Sequence, residues 1–202
     1  MIKENKIIPV LTIENSTLAV DLAKCLYDSG IRNLEITLRT KEAKKSTELI
    51  INTNLDFNIG IGTVLSFDDL YFSKDIGADF ALSPCTDIEL IKESFKIDFK
   101  FIPGVSTSTD INTAIKLGCK TLKLFPTIQL GGLNYFKSIY SPYKSSELNF
   151  IALGGINDKN ANVYVKNECF IGVGASWIAT NELINNKDWK EINRRAKILL
   201  SL

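Results

Sequence analysis

The sequence predicts an α/β fold, a closed (β/α)8 barrel of TIM type, in one domain spanning residues 1–202. Three observations carry this. Short apolar runs of strand length alternate with amphipathic helical stretches about eight times along the chain. No linker, low-complexity tract or break in composition interrupts the alternation. Three helix-to-strand joints share one chemistry, Ser29-Gly30-Ile31, Ile76-Gly77-Ala78 and Leu117-Gly118-Cys119, with a glycine where a helix must stop. Alternating units give a parallel sheet, and eight of them suggest closure into a barrel. At 202 residues the loops must be short, and a doubly wound open sheet is the alternative. In a barrel the active site lies at the carboxyl ends of the strands.

The elements follow from local pattern. Residues 6–13, KIIPVLTI, form an apolar strand, and Ser16 caps a helix that carries Leu18, Ala19, Leu22, Ala23 and Leu26 to Gly30. A strand over 31–38 precedes a helix over 41–51 with Ala43, Leu49 and Ile50 on its apolar side. The glycine-rich strand 57–64 is followed by a helix over 67–76 and a short strand over 79–82. A helix over 87–95 leads to a fifth strand over 99–102, closed by Pro103-Gly104. Ser108 or Thr109 caps the next helix, through Leu117, and residues 121–126, TLKLFP, form the sixth strand. A helix from Gly131-Gly132 to Tyr140 is broken at Pro142. Strand 149–153, helix 158–165, strand 170–173 and an amphipathic helix over 187–200 complete the chain.

The bulk composition narrows the function. With 45% hydrophobic and 23% charged residues and a net charge of +1, this is an ordinary soluble globular chain. It has no basic cluster to attract nucleic acid or an anionic membrane. No apolar h-region opens the chain and no run approaches the ~20 residues that cross a bilayer. Cys25, Cys85, Cys119 and Cys169 form no CxxC pair and read as reduced, mostly buried thiols of a cytoplasmic protein. There is no histidine at all. That excludes Ser-His-Asp and Cys-His nucleophile systems and imidazole zinc sites. Acid–base work must come from Glu, Asp, Lys, Tyr or water. No acidic cluster suggests a metal.

The sixth strand holds the most informative residue. Alternation sends Leu122 and Leu124 to one face and Thr121, Lys123 and Phe125 to the other. Burying an ammonium is costly and favours the free amine, which attacks ketones to form Schiff bases. The plainer alternative is an edge-strand lysine whose stem packs while its head reaches water. On the second strand the same alternation turns Glu35, Thr37 and Arg39 inward and Leu34, Ile36 and Leu38 outward. Glu35 and Arg39 read either as an internal ion pair or as a general base beside a clamp for an anionic group. Lys, Glu and Arg then share one cavity.

Later strand ends add an anion site. Gly154-Gly155 follows the seventh strand and Gly174-Ala175-Ser176 the eighth, and in barrels these two loops recurrently hold phosphate. A glycine pair is equally the mark of a tight turn. Gly60, Gly62 and Thr63 end the third strand and Ser83-Pro84 the fourth. Glycines there leave room for a substrate or relieve crowding. Phe125 walls the pocket or serves as core.

Together LEITLRT at 34–40, IGIGTV at 59–64, Ser83-Pro84, FIPGVST at 101–107, LKLFP at 122–126, GGI at 154–156 and SW at 176–177 carry a likeness. The chain resembles the 2-keto-3-deoxy-6-phosphogluconate (KDPG) / 4-hydroxy-2-oxoglutarate (KHG) aldolase family of class I aldolases, over most of its length. The resemblance implies a homotrimeric barrel that needs no metal or organic cofactor and takes a small keto-acid. It implies Lys123 as Schiff-base lysine and Glu35 as proton-transfer base. Arg39, Thr63, Pro84 and Phe125 would line the pyruvate-like half, and Gly154, Gly155, Gly174 and Ser176 would hold a distal phosphate. Leu153 stands where these enzymes usually carry threonine, Ala175 where glycine is common, and Thr127-Ile128 where Ala-Glu is familiar. Two other functions fit the same residues: a phosphate-binding barrel isomerase or epimerase without a covalent lysine, and a non-catalytic ligand-binding relative.

Overall fold

Parallel strands ring an interior of their own, and the helices pack on the outside. The computed structural model describes Ile2 and residues 5–202. Its strands are β1 (Ile7–Leu11), β2 (Asn33–Thr37), β3 (Asn58–Gly62), β4 (Phe80–Leu82), β5 (Phe101–Ile102), β6 (Gly104–Val105), β7 (Thr121–Leu124), β8 (Asn149–Leu153) and β9 (Phe170–Ala175). Their order in the sheet is β5-β4-β3-β2-β1-β9-β8-β7-β6, with every pairing parallel. Apart from β5 and β6 at the two ends, each strand lies beside its successor, and the direction never reverses as it does in a doubly wound sheet.

The two ends of that order belong to the predicted fifth strand, which is split at Pro103. β5 pairs with β4 and β6 with β7. Proline has no N–H to offer a continuous ladder. Its carbonyl instead accepts from Lys123 N at 2.9 Å, while Gly104 N donates to Cys85 O at 3.1 Å. The split strand thus joins both flanks, and the nine strands make an eight-position, nearly closed barrel. Gly104 is required at the join, since a β-carbon there would fall 2.4 Å from the Pro84 carbonyl carbon.

The helices are α1 (Ala19–Asp28), α2 (Ala43–Ile51), α3 (Phe67–Asp75), α4 (Ile88–Lys96), α5 (Ser108–Lys116), α6 (Gly132–Tyr140), α7 (Asn162–Val165), α8 (Asn181–Asn185) and α9 (Trp189–Leu200). Gly30, Gly77 and Gly118 all have positive φ, so the three predicted joints close their helices as expected. Several caps differ from the sequence reading. Asn15 rather than Ser16 caps the first turn, and Ser16 instead bonds Glu42. Thr107, not Ser108 or Thr109, caps α5 in a capping box with Asp110. Burial pushes the Asp110 carboxyl up, but hydrogen bonds from Ser106 and Thr107 outweigh it and hold the group below its ordinary range. The helix expected over 158–165 shrinks to α7, and the eighth predicted strand extends to Ala175. α8, capped by Thr180, was not expected. Of the cysteines, only Cys119 is buried and Cys85 is exposed, which corrects the expectation of mostly buried thiols. No helix among the described residues is long and apolar enough to cross a membrane.

Two apolar regions result from strand alternation. Leu34, Ile36, Leu122 and Leu124, each 0% exposed, join the core between sheet and helices. Ile8, Phe80, Leu82, Ile102, Ile151 and Leu153 form a second cluster inside the barrel. Burying a leucine contributes about 1.5–3 kcal/mol. Leu122 and Leu124 therefore anchor β7 firmly while the residue between them faces inward.

Candidate active site

Lys123 and Glu35 are the third residues of β7 and β2. In an eight-position ring those strands stand opposite one another, so only long side chains reach across. They meet: Lys123 Nζ donates to Glu35 Oε1 at 3.1 Å, with the two side chains 3% and 2% exposed. The lysine is an interior group, not an edge-strand one, and it rather than Arg39 is the partner of Glu35. Glu35 Oε2 is buried and has no hydrogen-bond partner among the described residues. The Phe125 ring lies 5.2 Å from Nζ, a cation–π distance.

A cavity of about 180 Å³ opens over this pair at the carboxyl ends of the strands. Val10, Phe125 and Leu153 give it apolar walls, and Thr12 adds a hydroxyl. Arg39, Gly154, Gly155, Gly174 and Ser176 complete the lining. Arg39 sits in the turn after β2, exposed, and its Nε donates to Thr63 Oγ1 at 3.2 Å. Thr63 has φ +64°, an unusual conformation for a β-branched residue and one that tends to cluster at functional sites.

The glycine-lined end of the cavity is held by backbone. Thr127 N donates to Leu153 O at 2.7 Å and Ile128 N to Gly154 O at 3.1 Å, tying the loop after β7 to the loop after β8. Thr127 is 0% exposed and its hydroxyl bonds Leu124 O, so the Thr127-Ile128 departure serves structure. Asn160 braces the glycine pair, its Nδ2 donating to Gly155 O and its Oδ1 accepting from Asn157 N. Leu153 leans over Gly174, where a β-carbon would fall 2.5 Å from Leu153 Cγ.

Of the residues singled out from sequence, Lys123, Glu35, Arg39, Phe125, Gly154, Gly155, Gly174 and Ser176 converge on the cavity. Thr63 reaches it only through Arg39, and Pro84 lies outside the lining, its backbone packed against Gly104. Val10 and Thr12 were not anticipated, although alternation from Ile8 along the first strand puts both inward. A larger groove of about 440 Å³ lies at the amino ends of β5 and β7, between Phe95, Lys100 and Cys119. Conserving that end of a barrel serves stability, not chemistry. Burial pushes the Cys119 thiol there up to about 11.

The family model for KDPG and KHG aldolases matches residues 1–195. The chain belongs to the KDPG and KHG aldolase family. Its members are carbon–carbon lyases, and this chain is an enzyme of that kind. The 2-dehydro-3-deoxy-phosphogluconate aldolase of Haemophilus influenzae is 30% identical over 201 residues, covering 100% of this chain and 94% of that protein. The KHG/KDPG aldolase of Escherichia coli is 30% identical over 191 residues, covering 95% and 89%. Among solved structures, a KDPG aldolase from Legionella pneumophila superimposes with a TM-score of 0.91 at 35% identity, over 97% of this chain and 94% of that one. That crystal structure holds pyruvate captured as a covalent carbinolamine intermediate. The aldolase fold and the (β/α)8 reading from sequence agree.

Proposed function

We propose that this protein is a class I aldolase that cleaves a 2-keto-3-deoxy sugar acid, foremost 2-keto-3-deoxy-6-phosphogluconate, to pyruvate and glyceraldehyde 3-phosphate. 4-Hydroxy-2-oxoglutarate, giving pyruvate and glyoxylate, is a second substrate. The observation that carries the reading is the buried contact between Lys123 and Glu35 beneath a cavity with a glycine-lined end.

The chemistry follows from the geometry. Glu35 is within reach to take a proton from the Lys123 ammonium, freeing the amine to add to the C2 ketone. Protonated Glu35 returns that proton to the carbinolamine hydroxyl, which leaves as water; the resulting iminium serves as electron sink, and Glu35 is a carboxylate again. Glu35 then removes the C4 hydroxyl proton, the C3–C4 electron pair moves toward the iminium, and the aldehyde departs. Protonation of the enamine at C3 and hydrolysis release pyruvate and restore the lysine. With Oε1 on Nζ, the unpartnered Oε2 is the oxygen available for the substrate hydroxyl. Arg39, poised by Thr63, suits the keto-acid carboxylate; Phe125 walls the methylene side; Gly154, Gly155, Gly174 and Ser176 suit the phosphate. Pro84 supports the wall indirectly, through Gly104. The covalent adduct in the Legionella relative supports the lysine's role. We place the enzyme in the cytoplasm as a homotrimer.

Incubation with pyruvate and borohydride, then peptide mapping, tests this. The adduct is expected on Lys123. Lys123→Ala abolishes turnover, and Glu35→Gln slows it by roughly 10²–10⁴-fold while still allowing trapping. Normal turnover in Lys123→Ala rules the mechanism out, and turnover without a trapped adduct favours an isomerase-like chemistry.

A further inference from the structure

β3 presents two glycines to the barrel interior, Gly60 and Gly62, and each makes way for a side chain of the protein itself. A β-carbon at Gly60 would fall 2.3 Å from the Phe80 ring. At Gly62 it would fall 2.1 Å from Glu35 Oε1 and 2.8 Å from both Cδ and Cγ. Nonbonded carbons rest near 3.5–4.0 Å, so a β-carbon and that carboxyl cannot share the space.

The direction of this contact matters. β2 and β3 pair with Glu35 opposite Gly60 and Thr37 opposite Gly62. The Glu35 side chain therefore leans along the sheet by one inward-facing step, toward the carboxyl ends of the strands and the cavity. Its hydrogen bonds fix only one oxygen: Oε1 bonds Lys123, and Oε2 has no hydrogen-bond partner among the described residues. Once the lysine carries substrate, the bare backbone of Gly62 still gives the carboxyl a surface to pack on.

We propose that Gly62 is a positioning residue for catalysis: its absent side chain is the seat that sets the Glu35 carboxyl against Lys123 and the substrate hydroxyl. The inference rests on the aldolase reading of Lys123 and Glu35. It also distinguishes the two glycines. Phe80 is 0% exposed and locked in the interior cluster, so Gly60→Ala strains the core. The end of a glutamate can swing, so Gly62→Ala is accommodated by moving the carboxyl.

The test is a cycle of Gly62→Ala and Glu35→Gln, read by kcat, KM and borohydride trapping of pyruvate. Gly62→Ala is expected to lower kcat about tenfold to a hundredfold, the scale of a 1 Å misplacement, with KM and trapping within about threefold of wild type. In the Glu35→Gln background the same change is expected to cost less than about threefold, because the group it displaces is already inactive. An equal loss in both backgrounds, or a wild-type kcat in Gly62→Ala, overturns the proposal. If Gly62→Ala does not fold, thermal unfolding of Glu35→Ala and Glu35→Ala/Gly62→Ala decides. Equal midpoints support the seat, and failure of the double variant to fold overturns it. A wild-type protein that traps no pyruvate on Lys123 refutes instead the aldolase reading beneath it.

Discussion

Replacing Lys123 by methionine removes the amine but keeps an unbranched chain of similar length, and it leaves Glu35 without its hydrogen-bond partner. Both side chains are at most 3% exposed, so the carboxylate loses its partner in a largely dry interior with only the cavity above it to turn to. Breaking a buried pair by removing one partner costs about 3–5 kcal/mol. Each kcal/mol lowers Tm by about 2–4 °C in a chain of this size, so Lys123→Met is expected to melt roughly 6–20 °C lower. Replacing both members by apolar residues is often neutral or stabilising. Glu35→Met/Lys123→Met should therefore recover to within about 1 kcal/mol of wild type, or exceed it, while remaining inactive. Urea unfolding with pyruvate-release assays on the wild type, both single variants and the double measures this. A Lys123→Met protein as stable as wild type, or a double variant no better than that single one, would show that the pair is not the isolated buried couple described here. The expected result identifies the pair as a cost to the fold that only chemistry explains.

Leu153→Thr places a hydroxyl on the cavity wall where an apolar branch now leans over Gly174. It is expected to cost roughly 1–3 kcal/mol of stability and to lower KM for the keto-acid about tenfold, the worth of one hydrogen bond to a charged group; an unchanged KM shows that a hydroxyl on that wall meets no anionic group of the substrate. Asp110→Asn weakens the cap of α5, the helix that leads into β7, by about 1 kcal/mol, seen as a Tm drop of about 2–4 °C. Because the folded Asp110 carboxyl lies below its ordinary value, its stabilisation is full above the unfolded carboxyl pKa of about 3.9 and is lost as pH falls through the lower folded value. The gap between wild type and Asp110→Asn should close on acidification, and a gap constant with pH contradicts the assignment.

Much of the site was legible because alternation is a local property. Leu34, Ile36, Leu122 and Leu124 identify the helix-facing side of two strands, and Glu35 and Lys123 then have only the interior left to occupy. That logic stops where a strand stops. Arg39 lies beyond the end of β2, in an exposed turn, and reaches the cavity rim by the course of that turn and the bond to Thr63. The positive φ of Thr63 has no signature in the sequence, since threonine is not a residue that invites it. The neighbour of Pro84 in space, Gly104, could not be read from sequence either, since it lies in the strand that breaks at Pro103 and pairs differently on either side. The glycines of β3 posed a non-local question: the space they free is filled by Phe80 and Glu35, each from an adjacent strand.

The same alternation makes the chemistry depend on register. A slip of β7 by one residue would turn Lys123 into the helix-facing core and bring Leu122 and Leu124 inside the barrel. Both leucines are fully buried where they are, at about 1.5–3 kcal/mol each, and the slip would also bury an ammonium among the helices. Apolar packing on the outer face of the strand thus fixes which residue faces inward, and Glu35 on the opposite strand is held by Leu34 and Ile36 in the same way. The polar pair weakens the fold, and the leucines and isoleucine flanking it are what keep it in place.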